Sequence, residues 1–129
     1  MSATVRHIYI FVALGLLSSC SPPSIDISVE NIAGQQHIKL SQDWGFIFSD
    51  KQAPCVREVG LYEPEIWDRD RAAWLIEVKG DIQCLDLASV RVGDVPTGWQ
   101  QVVSLSAAYG KTYVIWVDGI GMNKANITF

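Results

Sequence analysis

Beyond Cys20 the chain shows one dominant hydrophobic period, and that period is two. Ile25, Ile27 and Val29 alternate with Asp26, Ser28 and Glu30, which makes one side of an extended segment apolar and the other polar, the pattern of a half-buried strand. No later stretch sustains helical spacing; residues 66–73 come nearest, and they are few and crowded with Asp and Arg. Gly34 with Gln35 and Gln36 ends the first strand, and further strands are expected at 37–40, 45–48, Cys55–Tyr62 and 72–78. In the third of these Val59 and Leu61 share the face of Cys55, and in the fourth Trp74, Ile76 and Val78 share a face. The pattern continues through Ile82 and Cys84, residues 89–92, then Trp99, Gln101, Val103 and Leu105, then 112–117, then Ala125, Ile127 and Phe129, with turn residues between. The 112–117 run is apolar on both sides, which places it in the middle of a sheet. With 129 residues, 49% of them hydrophobic, and five Trp, the chain can fill one core, and short strands at this spacing predict a single antiparallel β-sandwich.

The N-terminus carries an address. Residues 1–7 contain Arg6 and no acid, and 8–17 are apolar, the n-region and h-region of a secretory leader. A helix needs about 20 apolar residues to span a bilayer, and Pro22 and Pro23 stop any extension. Leu17-Ser18-Ser19-Cys20 resembles the bacterial lipobox. That resemblance implies cleavage before Cys20, acylation of Cys20 and a lipid anchor in the membrane. Ser21, where an Asp would resemble an inner-membrane retention signal, implies the periplasmic face of the outer membrane. The expected organisation is a leader over 1–19, a lipidated tether over 20–24 and a β-sandwich over 25–129. An ordinary secretory leader with an incidental Cys20, or a cytosolic chain with an apolar first helix, is the alternative.

With Cys20 taken by lipid, Cys55 and Cys84 remain as a pair in an oxidising compartment, where a disulfide is the natural state. Closing a loop of that size contributes about 3–4 kcal/mol. Two buried free thiols are the other reading. Zinc is poorly supported, because there is no C-x-x-C spacing and His37 is the only histidine left after cleavage.

Residues 105–117, a leucine, a Gly-containing turn and then Tyr113 leading the apolar strand, are similar to the tyrosine-corner segment of fibronectin type III domains. The likeness implies that the Tyr113 hydroxyl bonds back to the backbone at the corner. An immunoglobulin-like resemblance, with Trp74 packed against the disulfide, is the competing one.

The formal charge is −4, and removing 1–19 takes away Arg6 and no acid, so phosphate-rich partners, nucleic acid included, are disfavoured. No nucleophile elbow is present, and Gly119-Ile120-Gly121 lacks the lysine and spacing of a phosphate loop. An enzyme is not expected, and neither is a cofactor. Asn126-Ile127-Thr128 matches a glycosylation sequon, read as chance. The densest polar and aromatic stretch is Tyr62-Glu63-Pro64-Glu65-Ile66-Trp67-Asp68-Arg69-Asp70-Arg71. Asp68 and Asp70 could offer oxygens to Ca²⁺, but Arg69 and Arg71 neutralise them and no EF-type loop surrounds them. Adjacent acids on one loop do not make a glycosidase pair either. The expected role is binding: Tyr62, Glu63, Glu65, Trp67, Asp68, Arg69, Asp70 and Arg71 are the candidate site of an envelope interaction module. Its partner would be an envelope protein, a glycan held by Trp67 and Trp99, or a basic hydrolase inhibited by the acidic loop. Tyr62, Trp67, Trp99 and Tyr109 fall in or beside turns, where they either cap the core or form a platform at one end of the sandwich.

Overall fold

The computed structural model describes residues 21–45 and 51–129. The leader, Cys20 and most of the strand expected at 45–48 lie outside the described residues. The described residues form nine strands: β1 Asp26–Ile32, β2 Gln35–Ser41, β3 Cys55–Tyr62, β4 Trp74–Val78, β5 Leu85–Asp86, β6 Ser89–Arg91, β7 Trp99–Val103, β8 Thr112–Gly119 and β9 Gly121–Thr128. They form an antiparallel β-sandwich. The smaller sheet has the order β1-β2-β6, and the larger β7-β4-β3-β8-β9, with β5 also paired to β3. Ile25, Ile38, Leu40, Val90 and Val92 from one side meet Val59, Leu61, Trp74, Ile76, Val78, Trp99, Ile115 and Val117 from the other in a single core. Burying such side chains is the main stabilising term.

Of the strands expected within the described residues, all but the one through Ile82 and Cys84 are present, some with changed bounds. Gln35 and Gln36 begin β2 rather than ending β1, because Ala33 (φ 52°) and Gly34 (φ 82°) close a two-residue hairpin turn between Ile32 and Gln35. Ile82 and Cys84 lie in a connection, not a strand, and the pairing starts at Leu85. Residues 66–73 give only a 3₁₀ turn at Arg69–Arg71, for want of an apolar stripe to bury.

Two bulges re-aim side chains. Between Val56 and Glu58 the register on β3 advances two residues while β8 advances one, so Val56, rather than Cys55, joins Val59 and Leu61 in the core row. Gly119 makes this possible: a Cβ there would stand 2.1 Å from the Cys55 carbonyl oxygen. On β7 the register shifts between Gln101 and Val103, turning Val103 to the outer side while Trp99 points into the core.

Cys55 and Cys84 are joined. Trp74 does not cover that bond as the immunoglobulin likeness implied. It pairs with Leu61, six residues along β3 from Cys55, or about 20 Å at strand rise. The tyrosine corner is formed: the buried Tyr113 hydroxyl accepts the Ala108 N–H at 2.8 Å. β8 sits between β3 and β9, as its two apolar sides required.

Candidate functional site

The outward side of the larger sheet is built from three cross-strand rows. Glu77, Glu58, Asp118 and Met122 form one, Leu75, Gly60, Trp116 and Lys124 the next, and Tyr62, Val114 and Asn126 the third. The first row sets three carboxylates side by side, which is unfavourable unless cations intervene. Two arginines do so. Arg57, the extra residue of the β3 bulge, pairs with Asp118; Arg69 pairs with Glu58 and reaches Glu77 at 3.1 Å. Glu77 also accepts Gln100 Nε2 at 2.8 Å. The hydrogen bond to Glu58 is the chief reason that the Arg69 guanidinium is held above its ordinary pKa.

Since Arg69 belongs to the connection between β3 and β4, this clamp folds the 62–71 segment back over the sheet. Asp68 accepts the Asp70 N–H at 3.1 Å and caps the 3₁₀ turn. Ile66 N–H reaches the Glu63 carbonyl at 3.1 Å across Glu65, whose φ of 69° is left-handed, a local strain that the clamped segment has to hold. Glu63 pairs with Lys111 in the corner before β8. Their hydrogen bond is the leading cause of both shifts, the Glu63 carboxyl downward and the Lys111 amine upward.

Trp67 is thereby set over the sheet. Its ring lies 5.7 Å from that of Tyr62 and 6.2 Å from that of Trp116, edge-on to the latter, with Lys124 Nζ 5.6 Å from its centroid. Tyr62 lies beside Gly60, where a Cβ would come within 2.9 Å of the tyrosine ring. Burial first, and then Glu58, pushes the Tyr62 phenol above its ordinary pKa. Glu58, Tyr62, Trp67, Arg69, Trp116, Met122, Asn123 and Lys124 line a groove of about 610 Å³. A second depression of about 280 Å³ lies beside it, and Trp67 and Lys124 line both. Trp67 remains 50% exposed.

The structure therefore divides the sequence candidates. Tyr62, Trp67 and Arg69 enter the groove; Glu63, Asp68 and Glu65 shape the segment that carries them; Asp70 and Arg71 lie exposed outside the groove. Asp68 spends a carboxylate oxygen on its own turn, and among the described residues no cluster of His, Cys, Asp or Glu could hold a metal ion. Trp99 is 3% exposed in the core, so a Trp67–Trp99 platform does not exist. The partner of Trp67 is Trp116. The aromatics also gather on the outer side of the larger sheet rather than at an end of the sandwich, and Tyr109 stands apart from the groove as an exposed turn residue. Sequence reasoning missed Glu58, Trp116, Met122, Asn123 and Lys124. Outward positions of neighbouring strands are joined only by register, although alternation already set Trp116 opposite the core row of Tyr113, Ile115 and Val117.

Comparison with known proteins finds no matching family model, no matching curated protein and no matching solved structure.

Proposed function

We propose that this protein is a lipid-anchored binding module of the bacterial envelope. In this reading Cys20 is acylated after loss of 1–19, the sandwich stands in the periplasm at the outer membrane, and the groove on the larger sheet takes the ligand. The observation that carries the reading is Trp67, half exposed on a clamped connection between Tyr62 and Trp116. A folded chain leaves a Trp in that position at a cost in unburied apolar area, and interfacial Trp residues on rigid scaffolds commonly anchor a partner.

A glycan is the ligand class that suits the groove best. A sugar ring presents a flat C–H surface to an indole and hydroxyls to polar groups around it. The ion pairs with Glu58 and Glu77 use Glu58 Oε2 and the two terminal nitrogens of Arg69. Glu58 Oε1 and the Arg69 Nε–H have no partner among the described residues and can serve hydroxyls. Asn123 donates one N–H to the Ile25 carbonyl and accepts the Lys124 N–H, which fixes its side chain as part of the wall. An inhibitor presenting the acidic loop is less well supported, since Glu63 and Asp68 each spend a carboxylate oxygen within the fold and only Glu65 and Asp70 stand exposed without a partner among the described residues.

Two measurements test this. Intact-mass analysis of the membrane fraction is expected to show a chain beginning at acylated Cys20; an unmodified thiol, or a chain beginning at Met1, overturns the anchor. The folded domain is expected to sediment with purified cell-wall sacculi and to be released by soluble muropeptides. Sedimentation that muropeptides leave unchanged overturns the glycan reading.

A further inference from the structure

The buried polar residue of the described chain is Gln42, 1% exposed, and what it binds is the tether. Its Nε2 donates to the Pro23 carbonyl at 2.8 Å and to the Ile120 carbonyl, in the β8–β9 turn, at 2.7 Å. Its backbone is fixed in turn by paired bonds with Gln52 at 2.8 and 3.0 Å. Gly121, at φ 93°, leaves room for the arrangement, since a Cβ there would stand 2.5 Å from the Pro23 oxygen and 2.7 Å from Gln42 Nε2. Asn123 Nδ2 holds the Ile25 carbonyl at 2.7 Å. The tether therefore becomes part of the rigid fold at Pro23.

From Cys20 to Pro23 the chain can span at most about 3.3–3.6 Å per residue, or about 10 Å. If Cys20 carries lipid, as in the function proposed above, the end of the sandwich bearing Pro23, Gln42 and the β8–β9 turn is held against the bilayer. Among the described residues, that end exposes three large apolar side chains. Ile120 lies in the turn that Gln42 holds, Trp44 follows Gln42 by two residues, and Ile82 precedes Cys84 by two; all three are about half exposed. Ile82 belongs to the same end because Cys84 is bonded to Cys55, whose carbonyl accepts the Ile120 N–H at 2.9 Å. Asp43 and Asp81 adjoin Trp44 and Ile82 and are exposed, and the cations near this end, Lys51 and Arg57, are paired with Asp26 and Asp118, so among the described residues no unpaired cationic patch addresses anionic headgroups. Contact there is apolar, with the indole at the depth where Trp partitions in membranes.

We infer that Trp44, Ile82 and Ile120 form a membrane-docking end, seated in the interfacial layer of the bilayer by the short tether that Gln42 locks. The groove then opens sideways from a domain of fixed orientation rather than from one tumbling on a leash.

The test uses the acylated chain in phosphatidylcholine vesicles carrying bromine on the acyl chains, and reads quenching of tryptophan fluorescence. Quenching is expected, is largely lost in Trp44→Phe, is kept in Trp67→Phe and is insensitive to salt. A Gly/Ser insert of about ten residues after Ser21 leaves the fold untouched and reaches roughly 17 Å on average; it is expected to lower the quenching several-fold. Quenching equal in wild type and Trp44→Phe, or none in vesicle-bound protein, overturns docking while the anchor stands. If the native chain proves unacylated the anchor fails instead, and coupling Cys20 to a maleimide lipid decides docking by the same readout: quenching supports it and none overturns it.

Discussion

Tyr113 shows how much one hydroxyl can do. Its ring is buried, 5.8 Å from Phe129, and its oxygen accepts the Ala108 N–H that would otherwise lack a partner in the corner. Tyr113→Phe is expected to lower stability by about 1–2 kcal/mol in urea unfolding, and an unchanged midpoint would mean that water replaces the bond at no cost. Glu63 and Lys111, in the same corner, govern a smaller, pH-dependent effect. The Glu63 carboxyl is held below its ordinary value by the bond to Lys111, so the pair's contribution is present above the ordinary Glu range and is lost as pH falls through the lowered value. The Lys111 amine is raised, so its share persists at neutral pH and is lost only as pH rises through the raised value. NMR titration of Glu63 is expected to show the low midpoint in wild type and a return to the ordinary value in Lys111→Met.

At the scale of elements, the disulfide and the clamp are the two cross-links. Reduction of Cys55–Cys84, 29 residues apart, is expected to cost about 3–4 kcal/mol. Neither thiol of the denatured, unreduced domain is expected to react with a maleimide; labelling of both would remove the bond from the account. Arg69→Leu leaves Glu58 facing Glu77 across the strands with no Arg69 between them, an expected loss of about 1 kcal/mol for a pair whose arginine is half exposed. It should also red-shift the Trp67 emission as the 62–71 segment comes away. Equal stability and an unshifted spectrum would show that the clamp holds nothing.

These elements also mark where the sequence stops being legible. Alternation gave β1, β3, β4 and β8 because one strand's period needs no knowledge of its neighbours. It placed Cys55 in phase with Val59 wrongly, since the bulge that separates them depends on Gly119, 64 residues away. The Tyr62, Trp67 and Arg69 part of the site was readable as a local cluster. Its floor, Glu58 with Trp116 and Lys124, exists only through cross-strand register.

For the molecule as a whole, the sandwich supplies two outer surfaces, one inter-sheet core and a smaller buried cluster of Tyr62, Ala72 and Leu75, and the connection between β3 and β4 is fastened over the larger sheet instead of extending into solvent. The tether enters at the end carrying Gln42 and Ile120, while the groove lies along the sheet from Met122 toward Tyr62. The groove is central to this account, and Trp67→Ala tests it most directly when stability and capture are measured on the same sample. Trp67 lies outside the inter-sheet core, so the predicted result is a loss of about 2 kcal/mol in urea unfolding, the apolar area that a half-exposed indole still buries, together with loss of sedimentation on cell-wall sacculi by protein that remains folded. A drop of about 3–5 kcal/mol, the cost of removing a core aromatic, with capture retained by the folded fraction would contradict it and make Trp67 a packing residue.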